Sequence, residues 1–361
     1  MSAQESNISQ HSTPCINGIG IVFGQGRGIA RLERALIRGW VPPELLDLSF
    51  FRATGFPIYQ VPAEALNDKT FSRKIRRADR LSKMAVIAAA DAMADSGIDL
   101  PDTARVGIIF ATAFGPHATT FKFLDDIIDY GDKSVSPTSF SHSVHNAAAS
   151  YVASVLDIRG PNLTVTHFHF AFQEAVRLAG TWLNEEKCDH VLVGTADECG
   201  TAMEFIASRK LHVALDGKMY PFQLRRMPSS VPGEGSVFFV LSAEPAGNSY
   251  CALEVDGSAP ADIQVINADG MLPDESAYLN ALLPHVPVSA YTPLSGSFMT
   301  ASSFDCAASA LMIRNRVTYP PPVTDNPHDL PLCGDSTPAP SRVACVKCGC
   351  GGKVMVMNLS G

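Results

Sequence analysis

Apolar and polar residues alternate over residues 162–166, and helical spacing takes over shortly afterwards. The alternating segment, Asn-Leu-Thr-Val-Thr, is rich in β-branched residues, as a strand prefers. From Ala171 to Glu186 apolar residues recur every three or four positions, which predicts an amphipathic helix. The corner between strand and helix holds His169. Because a helix N-terminus favours an anion, such a corner is a place where enzymes hold a nucleophile.

The same patterns predict strands and helices along the rest of the chain. Strands are expected where apolar runs are continuous or alternate, at residues 15–24, 105–113, 190–195, 251–255, 262–268 and 286–291, after the Gly-Glu-Gly turn up to 241, and on both sides of 348–352. Helices are expected at residues 28–39, 82–96, 147–156, 276–283 and 302–315, and within 114–130. The proline-rich stretch 317–341 is expected to be irregular. Strands and helices alternate in both halves, which predicts an α/β protein of two similar units.

The composition of the chain excludes several classes of protein. The chain has 361 residues, 46% of them hydrophobic and 18% charged, as expected for a protein with a large packed core. A net charge of −8 gives no reason to expect a nucleic-acid partner. Residues 1–14 are polar and predict a disordered tail without a signal peptide, and no apolar run is long enough to predict a membrane span. Nine cysteines without secretory context predict reduced thiols in a cytoplasmic protein.

Several separated segments, in the right order, resemble the β-ketoacyl synthases of the thiolase fold. The resemblance runs from about Cys15 to Met357 and rests on the segments RADRLSKMAVIAAADAM, RVGIIFATAFG, SPTSFSHSVHNAAA, GPNLTV, CDHVLVGTADE, PFQLRRMPSSVPGEGSVFFVL, INADG and CGCGG. It implies two halves, residues 15–245 and 250–361, related by a pseudo-dyad. Each half would contribute a five-stranded sheet to a five-layered αβαβα arrangement.

The resemblance also implies a reaction centre whose residues are replaced in this chain. The family uses a cysteine at the elbow, two histidines and a lysine. These positions fall on His169, Asp269, Ser297 and Thr292. An acyl-imidazole hydrolyses readily, an anionic Asp269 would repel the malonyl carboxylate, and Ser297 cannot carry a positive charge. None of the four positions is therefore expected to act in ketosynthase catalysis.

A scaffold of this kind without its cysteine resembles the chain-length factors of type II polyketide systems, with related degenerate subunits in aryl polyene pathways. The resemblance implies an active ketosynthase subunit as heterodimer partner, an acyl carrier protein as a second partner, and a role in polyketide or fatty-acid-type chain elongation. It places Ser139, Phe140, Ser143 and Asn146 at the acyl tunnel and dimer interface. Its gating loop falls on Cys348, Gly349, Cys350, Gly351 and Gly352. No cofactor is expected.

Two other functions stay open on the sequence. The chain could be an acyltransferase or esterase with altered chemistry that uses His169 and Asp269 within hydrogen-bonding reach. It could also be a homodimeric protein that binds acyl chains or acyl carriers. The basic cluster at residues 74–80 fits either a solvated helix start or a docking surface for an acidic carrier protein.

Smaller groups of residues also allow two interpretations. An apolar stripe fits ordinary core packing better than a tunnel lining; it comprises Phe121, Phe123, Leu124, Ile127 and Ile128. Four histidines could bind zinc, but the spacing favours a space-filling, hydrogen-bonded His169 beside core-like phenylalanines 168 and 170; the four are His142, His145, His167 and His169. Four late cysteines favour packing over a zinc knuckle: Cys333, Cys345, Cys348 and Cys350. No metal site is expected.

Overall fold

The structure is a computed structural model that describes residues 13–48, 53–99, 102–131, 133, 135–257 and 260–361. The predicted tail at residues 1–14 lies almost wholly outside these ranges. The described strands are β1 Cys15–Phe23, β2 Gly26–Arg27, β3 Glu44–Leu48, β4 Ala53–Ile58, β5 Val106–Thr112, β6 Asn162–Thr166, β7 His190–Asp197, β8 His212–Val213, β9 Ser229–Ser230, β10 Gly235–Ser242, β11 Cys251–Val255, β12 Ile263–Ile266, β13 Val288–Ser289, β14 Arg342–Cys348 and β15 Val354–Ser360.

The described helices agree well with the predicted ones. They are α1 Ile29–Arg38, α2 Arg80–Ser96, α3 His117–Tyr130, α4 Pro137–His142, α5 Ala147–Leu156, α6 Ala171–Asn184, α7 Thr201–Lys210, α8 Ala277–Ala281 and α9 Ser302–Asn315. Within the described part of the chain, no helix combines the length and apolarity needed to cross a membrane.

The strands form two groups with the same internal order. The first group runs β6-β5-β7-β10-β1 and the second runs β13-β12-β14-β15-β11. When the five strands of each group are numbered in chain order, both groups read 3-2-4-5-1 across the sheet. In both groups the first two pairings in this order are parallel and the last two are antiparallel. Two residue pairs between β1 and β11 join the groups into one hydrogen-bonded sheet. The prediction of two similar α/β units is therefore confirmed, and we interpret residues 15–245 and 250–361 as the two halves.

Three hydrophobic clusters define the layers. The largest contains residues of both strand groups together with α6 and α9, so these two helices pack between the groups. The side chains of α9 are buried from Ser302 to Ile313, which its small residues allow. A second cluster joins α2 and α5 to the other face of the first group, and a third joins α8 to the other face of the second. The layers thus alternate helix, sheet, helix, sheet, helix.

Helix α2 packs very closely on β1 because of two glycines. A Cβ added at Gly20 would lie 1.9 Å from the backbone oxygen of Ala88, and one at Gly18 would lie 2.3 Å from that of Ala92. The Asp79 side chain caps the helix by accepting the backbone N–H of Ser82 at 2.8 Å. The cap at Asp79 explains why this helix, predicted at 82–96, begins two residues earlier.

Several predictions about elements were wrong or incomplete. The α3 stripe is not core: Phe121, Leu124 and Ile128 are exposed, Ile128 by 80%. Phe168 is also exposed, whereas Phe170 is buried as expected. The strand predicted at 286–291 is only the two residues of β13, because the chain turns into a short 3-10 helix at Thr292–Leu294. The β3–β4 hairpin and α7 were not predicted at all.

Candidate functional site

The corner between β6 and α6 places His169 next to the start of the helix, as the sequence predicts. The backbone N–H groups of His169 and Phe170 both donate to Nδ1 of His167, at 3.0 and 3.1 Å. Free N–H groups at a helix start are what would otherwise bind an anion. Here an imidazole already accepts the N–H of the N-cap residue Phe170 and that of His169 just before it. Neither of these groups is free for the oxyanion that a nucleophile elbow has to stabilise.

The ring of His169 reaches the predicted gating loop. Its Nε2 lies 3.1 Å from Sγ of Cys350, on the short turn Cys350–Gly352 between β14 and β15. The pKa of His169 is lowered, first by burial and then by the positive charge of Lys347, while the charge of Asp269 opposes the shift. The imidazole is therefore neutral near neutral pH and can accept a proton. The elbow and the gating loop are in direct contact, with a histidine and a cysteine facing each other.

Asp269, which the sequence resemblance assigns to the position of a family histidine, forms a buried ion pair. Its Oδ2 lies 2.8 Å from Nζ of Lys347, which projects from β14, and both side chains are almost completely buried. Lys347 also donates to Oδ1 of Asn267, and Nδ2 of Asn267 donates to Asp305 at 2.6 Å. The sequence analysis missed Lys347, although a lysine inside the apolar strand Arg342–Cys348 was a usable signal.

Ser297 and Thr292 join the same buried cluster through the backbone. The Ser297 hydroxyl donates to the backbone oxygen of Asp269 and accepts the N–H of Val231 at 3.1 Å. The Thr292 hydroxyl donates to the carbonyl of Ala268 at 3.0 Å. Both hydroxyls hold neighbouring loops together. The structure thus brings three of the four replaced positions into one hydrogen-bonded cluster, with His169 within reach of its charges.

Two further carboxyl groups of this region are shifted toward the neutral form. Burial and then the charge of Asp269 raise the pKa of Glu275 to about 8, although its carboxylate accepts the N–H of Gly270 at 2.8 Å. Burial raises the pKa of Asp305 to about 8, against the hydrogen bond from Asn267. The interior around Asp269 therefore holds one ion pair and two carboxyl groups that resist ionisation.

The acyltransferase hypothesis required His169 and Asp269 to act together, and the structure divides them between different partners. The His169 ring contacts Cys350, whereas the Asp269 carboxylate binds Lys347 and the backbone N–H of Met271, the latter at 3.1 Å. A charge relay from Asp269 to His169 does not fit these contacts.

The predicted tunnel positions lie on α4 and the turn that follows it. Ser139 and Ser143 are half-buried, while Phe140 and Asn146 are exposed. Nearby, the Phe140 ring packs against Phe123 of α3 at 5.7 Å between centroids. These residues therefore form part of the outer surface of this chain.

The histidines and cysteines considered as metal ligands have separate surroundings. His142 bonds Tyr151 at 2.9 Å, and His145 lies against Gly115. Cys333, Cys345 and Cys348 are buried in the cores of the second half, and Cys350 is exposed at the loop. The residues that the structure describes contain no group of three or more side chains placed to hold a metal ion.

Comparison with known proteins assigns the family. The profile of the β-ketoacyl synthase N-terminal domain matches residues 15–246, well over half of the chain. The chain belongs to the β-ketoacyl synthase family. It is 27% identical to the 3-oxoacyl-(acyl-carrier-protein) synthase 2 of Coxiella burnetii over 42% of its length, a match that spans 37% of that relative. It is 25% identical to the oxytetracycline polyketide putative β-ketoacyl synthase 1 of Streptomyces rimosus, over 87% of this chain and 88% of the relative.

Solved structures share the whole architecture. A β-ketoacyl synthase from Burkholderia phymatum STM815 superposes with a TM-score of 0.79 at 18% identity, covering 97% of this chain and 99% of the other. The ishigamide ketosynthase/chain length factor gives 0.77 at 17%, with the same coverage. The ketosynthase ApeO in complex with its chain length factor ApeC from Xenorhabdus doucetiae gives 0.73 at 16%, covering both chains completely. These likenesses establish the thiolase fold that the sequence predicts.

Proposed function

We propose that this protein is a noncatalytic ketosynthase-like subunit that pairs with an active β-ketoacyl synthase and shapes its acyl tunnel during chain elongation. One observation carries the proposal: an uncovered apolar face on β6, α3 and α4 lies beside an elbow without a cysteine. Two solved structures of the same fold are described as ketosynthases with their chain length factors, which supports this assignment.

The uncovered face begins with the edge strand. In the described structure β6 pairs only with β5, and its other edge is free. An exposed strand edge tends to pair with another chain unless it is covered. Large apolar side chains continue this face over the neighbouring elements: Phe121, Leu124, Ile128, Phe140, Val144, Leu163 and Phe168. Large exposed apolar side chains on neighbouring elements favour a protein contact. A groove of about 450 Å³ between α4 and α5, lined by Phe140, Val144 and Asn146, opens on it.

The buried cluster around Asp269 supports a role without catalysis. Lys347 neutralises Asp269, and the hydroxyls of Ser297 and Thr292 are used on the backbone. No group of this cluster is left to polarise a thioester carbonyl or to assist decarboxylation. The cluster fills the place of a reaction centre with structural contacts.

The basic cluster at residues 74–80 divides into residues with structural contacts and residues that are exposed. Arg80 forms a bidentate contact with the buried Glu234, with Nε 3.0 Å from each carboxylate oxygen, and Lys74 donates to the carbonyl of Val155. These two residues are structural. Arg76 and Arg77 are exposed, as is Arg73 just before the cluster, and we propose that these three residues attract an acidic carrier protein to the complex.

Co-expression with an active β-ketoacyl synthase tests the proposal. We expect a one-to-one complex by size-exclusion chromatography with mass detection, and its loss in Leu163→Asp or Phe140→Asp, because a charge on a buried apolar contact is strongly unfavourable. Ile37→Asp is the control, since Ile37 is also an exposed apolar residue, at 71%, but lies on α1, away from β6. Tryptophan at Ser139 or Ser143 should shorten the product. A protein that forms only homodimers would favour the acyl-binding alternative.

A second candidate function rests on the contact between Cys350 and His169. The thiol and the neutral imidazole, 3.1 Å apart, form a nucleophile–base pair in which the cysteine lies on the gating loop and the histidine at the elbow. In this reaction Sγ of Cys350 attacks the carbonyl of an acyl thioester and its proton moves to Nε2 of His169. The intermediate then expels the original thiolate, which takes the proton from Nε2 and leaves an acyl group on Cys350.

Mass spectrometry after incubation with an acyl-pantetheine thioester tests this candidate. All nine cysteines lie in the described residues and only Cys350 is exposed, so an adduct is easily located. Acyl transfer requires an adduct on Cys350 that forms at least tenfold more slowly in His169→Gln, the loss expected when a general base is removed. An unmodified Cys350, or a rate that does not depend on His169, would exclude the reaction.

A further inference from the structure

Four exposed arginines lie on α1 and just beyond α9, on a surface that the proposed function does not use. They are Arg31, Arg34 and Arg38 of α1, and Arg316 after the end of α9. The two helices are in contact, since Nδ2 of Asn315 donates to Oε1 of Glu33 at 2.8 Å. We call these four arginines the arginine patch. Helix α1 carries three arginines and one glutamate, whereas the whole chain has a net charge of −8.

The charges of the arginine patch are not neutralised by the residues that the structure describes. None of the four arginines forms an ion pair with a described residue. The Nε of Arg31 donates to the carbonyl of Gln25 at 2.5 Å, and that of Arg34 to the carbonyl of Ala30 at 3.2 Å. These acceptors carry no charge. The positive charges are therefore available to a binding partner.

The stability of α1 does not explain this arrangement. Its arginines are spaced by three and four residues, so they lie on one face and repel one another. Arg31 lies in the first turn, where the helix dipole disfavours a positive charge, and no acidic residue offsets it there. Of the three, Arg38 alone lies in the last turn, where the dipole favours it. An anionic surface opposite the helix would relieve both the repulsion and the unfavourable position of Arg31.

Two apolar side chains extend outward beside these charges. Ile37, next to Arg38, is 71% exposed, and Val317, next to Arg316, is 36% exposed. The opposite face of α1 is buried in the largest hydrophobic cluster. The helix therefore lies flat on the protein, with its arginines and Ile37 facing outward.

Anionic lipid headgroups match this surface better than a protein does. Guanidinium groups bind phosphate oxygens in a bidentate way. A stable protein contact buries roughly 800 Å² on each partner around an apolar centre, and two apolar side chains are too few for that. A layer of headgroups needs no fitted shape. It attracts basic residues, and an apolar side chain beside them can reach between the headgroups.

We infer that the arginine patch binds the surface of a membrane that contains anionic phospholipids, with Ile37 inserted between the headgroups. Such binding is peripheral and needs no helix that spans the membrane. The inference does not depend on the proposed function. It is tested on the full chain alone, so its failure and the failure to form a complex with a ketosynthase are separate results.

Sedimentation with lipid vesicles tests the inference. We expect the protein to bind vesicles of phosphatidylglycerol and phosphatidylcholine in equal parts, and not vesicles of phosphatidylcholine alone. Arg34→Gln combined with Arg38→Gln should weaken this binding by about tenfold or more, because each arginine near an anionic surface contributes a factor of about five in affinity. Raising sodium chloride from about 0.05 to about 0.5 M should release the protein, since salt screens exposed charges.

Arg209→Gln combined with Lys210→Gln is the matched control, since it removes two exposed positive charges from α7. It should leave vesicle binding unchanged, and melting temperatures show that both double variants are folded. Equal binding to both kinds of vesicle, absence of binding to the anionic ones, or an equal loss in both double variants would each overturn the inference. Binding to poly-glutamate instead of anionic vesicles would assign the arginine patch to an acidic protein and would also overturn it.

Tryptophan fluorescence locates the contact on the protein. Trp40 lies two residues beyond Arg38, and the chain has one other tryptophan, Trp182 of α6. In a Trp182→Phe background, brominated phospholipids in anionic vesicles should quench the emission of Trp40. Emission that is unchanged while the protein is bound would place the contact on another surface and contradict the inference.

Discussion

The ion pair between Lys347 and Asp269 is the main buried charge interaction of the candidate site. The sequence resemblance assigns Asp269 to a family histidine and Thr292 to a family lysine, and the counter-charge of Asp269 comes from Lys347 on β14. Removing one partner of a buried pair leaves an uncompensated charge, whereas removing both is far less costly. The two residues therefore depend on each other, and this dependence can be measured.

We predict that Lys347→Met lowers the free energy of unfolding by about 3–5 kcal/mol, because Asp269 is left buried and unpaired. Lys347→Met combined with Asp269→Leu should lose clearly less than the two single changes added together. Urea unfolding measures all three variants. Lys187→Met is the control, since Lys187 pairs with Glu185 at the surface and should change stability by less than about 0.5 kcal/mol. Additive losses would contradict the coupling.

The close packing of α2 on β1 belongs to the scale of elements. It depends on glycines whose missing side chains leave room for the helix backbone. An added methyl group has no soft neighbour there, because the nearest atoms are backbone oxygens that are fixed in the helix. The whole helix would have to move away from the strand.

We predict that Gly20→Ala destabilises the protein by about 1–3 kcal/mol, the usual cost of overpacking. Gly334→Ala is the matched control, since no atom lies within 4 Å of its added Cβ and its φ is not in the left-handed region. Melting temperatures of the two variants give the comparison. A similar small effect in both would mean that the helix adjusts without cost.

Hydrophobic spacing predicted most elements but not which apolar faces remain uncovered. The bounds of α6 and α9 were predicted closely. Apolar residues mark one face of α6, and small or apolar residues occur on every face of α9. The α3 stripe was assigned to the core by the same rule, and it is exposed. Spacing shows that a face favours burial, and it does not show whether this chain or another one covers it. The assignment of the replaced positions comes from the motifs and stays a prediction. A single lysine within an apolar strand was a usable signal for Lys347, but its pairing with Asp269 depends on strand pairing that no local pattern encodes.

Buried carboxyl groups make the stability of the whole molecule depend on pH. The pKa values of Glu275 and Asp305 rise to about 8 and that of Glu198 to about 7, from ordinary values of 4.5, 3.8 and 4.5. A raised folded-state pKa gives stability that is complete below the ordinary value and is lost as pH rises through the folded value. Buried histidines such as His190, with lowered pKa, act in the opposite direction below about pH 6.5.

We predict that Glu275→Gln gains stability relative to the unchanged protein as pH rises from about 5 to 8.5. Glutamine keeps the acceptor for the Gly270 N–H and removes the proton-dependent loss. The gain should be about 2 kcal/mol or more, since one pKa unit corresponds to about 1.4 kcal/mol. Unfolding in urea at both pH values measures it. Glu254→Gln, at an exposed position, should show no such difference, and a pH-independent effect of Glu275→Gln would contradict the assignment.

Each half of the chain builds the same five-stranded framework, yet the first uses residues 15–242 and the second only 251–360. The additional length of the first half forms α3, α4 and α7 among other elements. Helices α3 and α4 carry much of the uncovered apolar face. The internal symmetry of the strand order does not extend to them. The surface at which we propose this protein meets its partner therefore lies in the part of the first half that has no counterpart in the second.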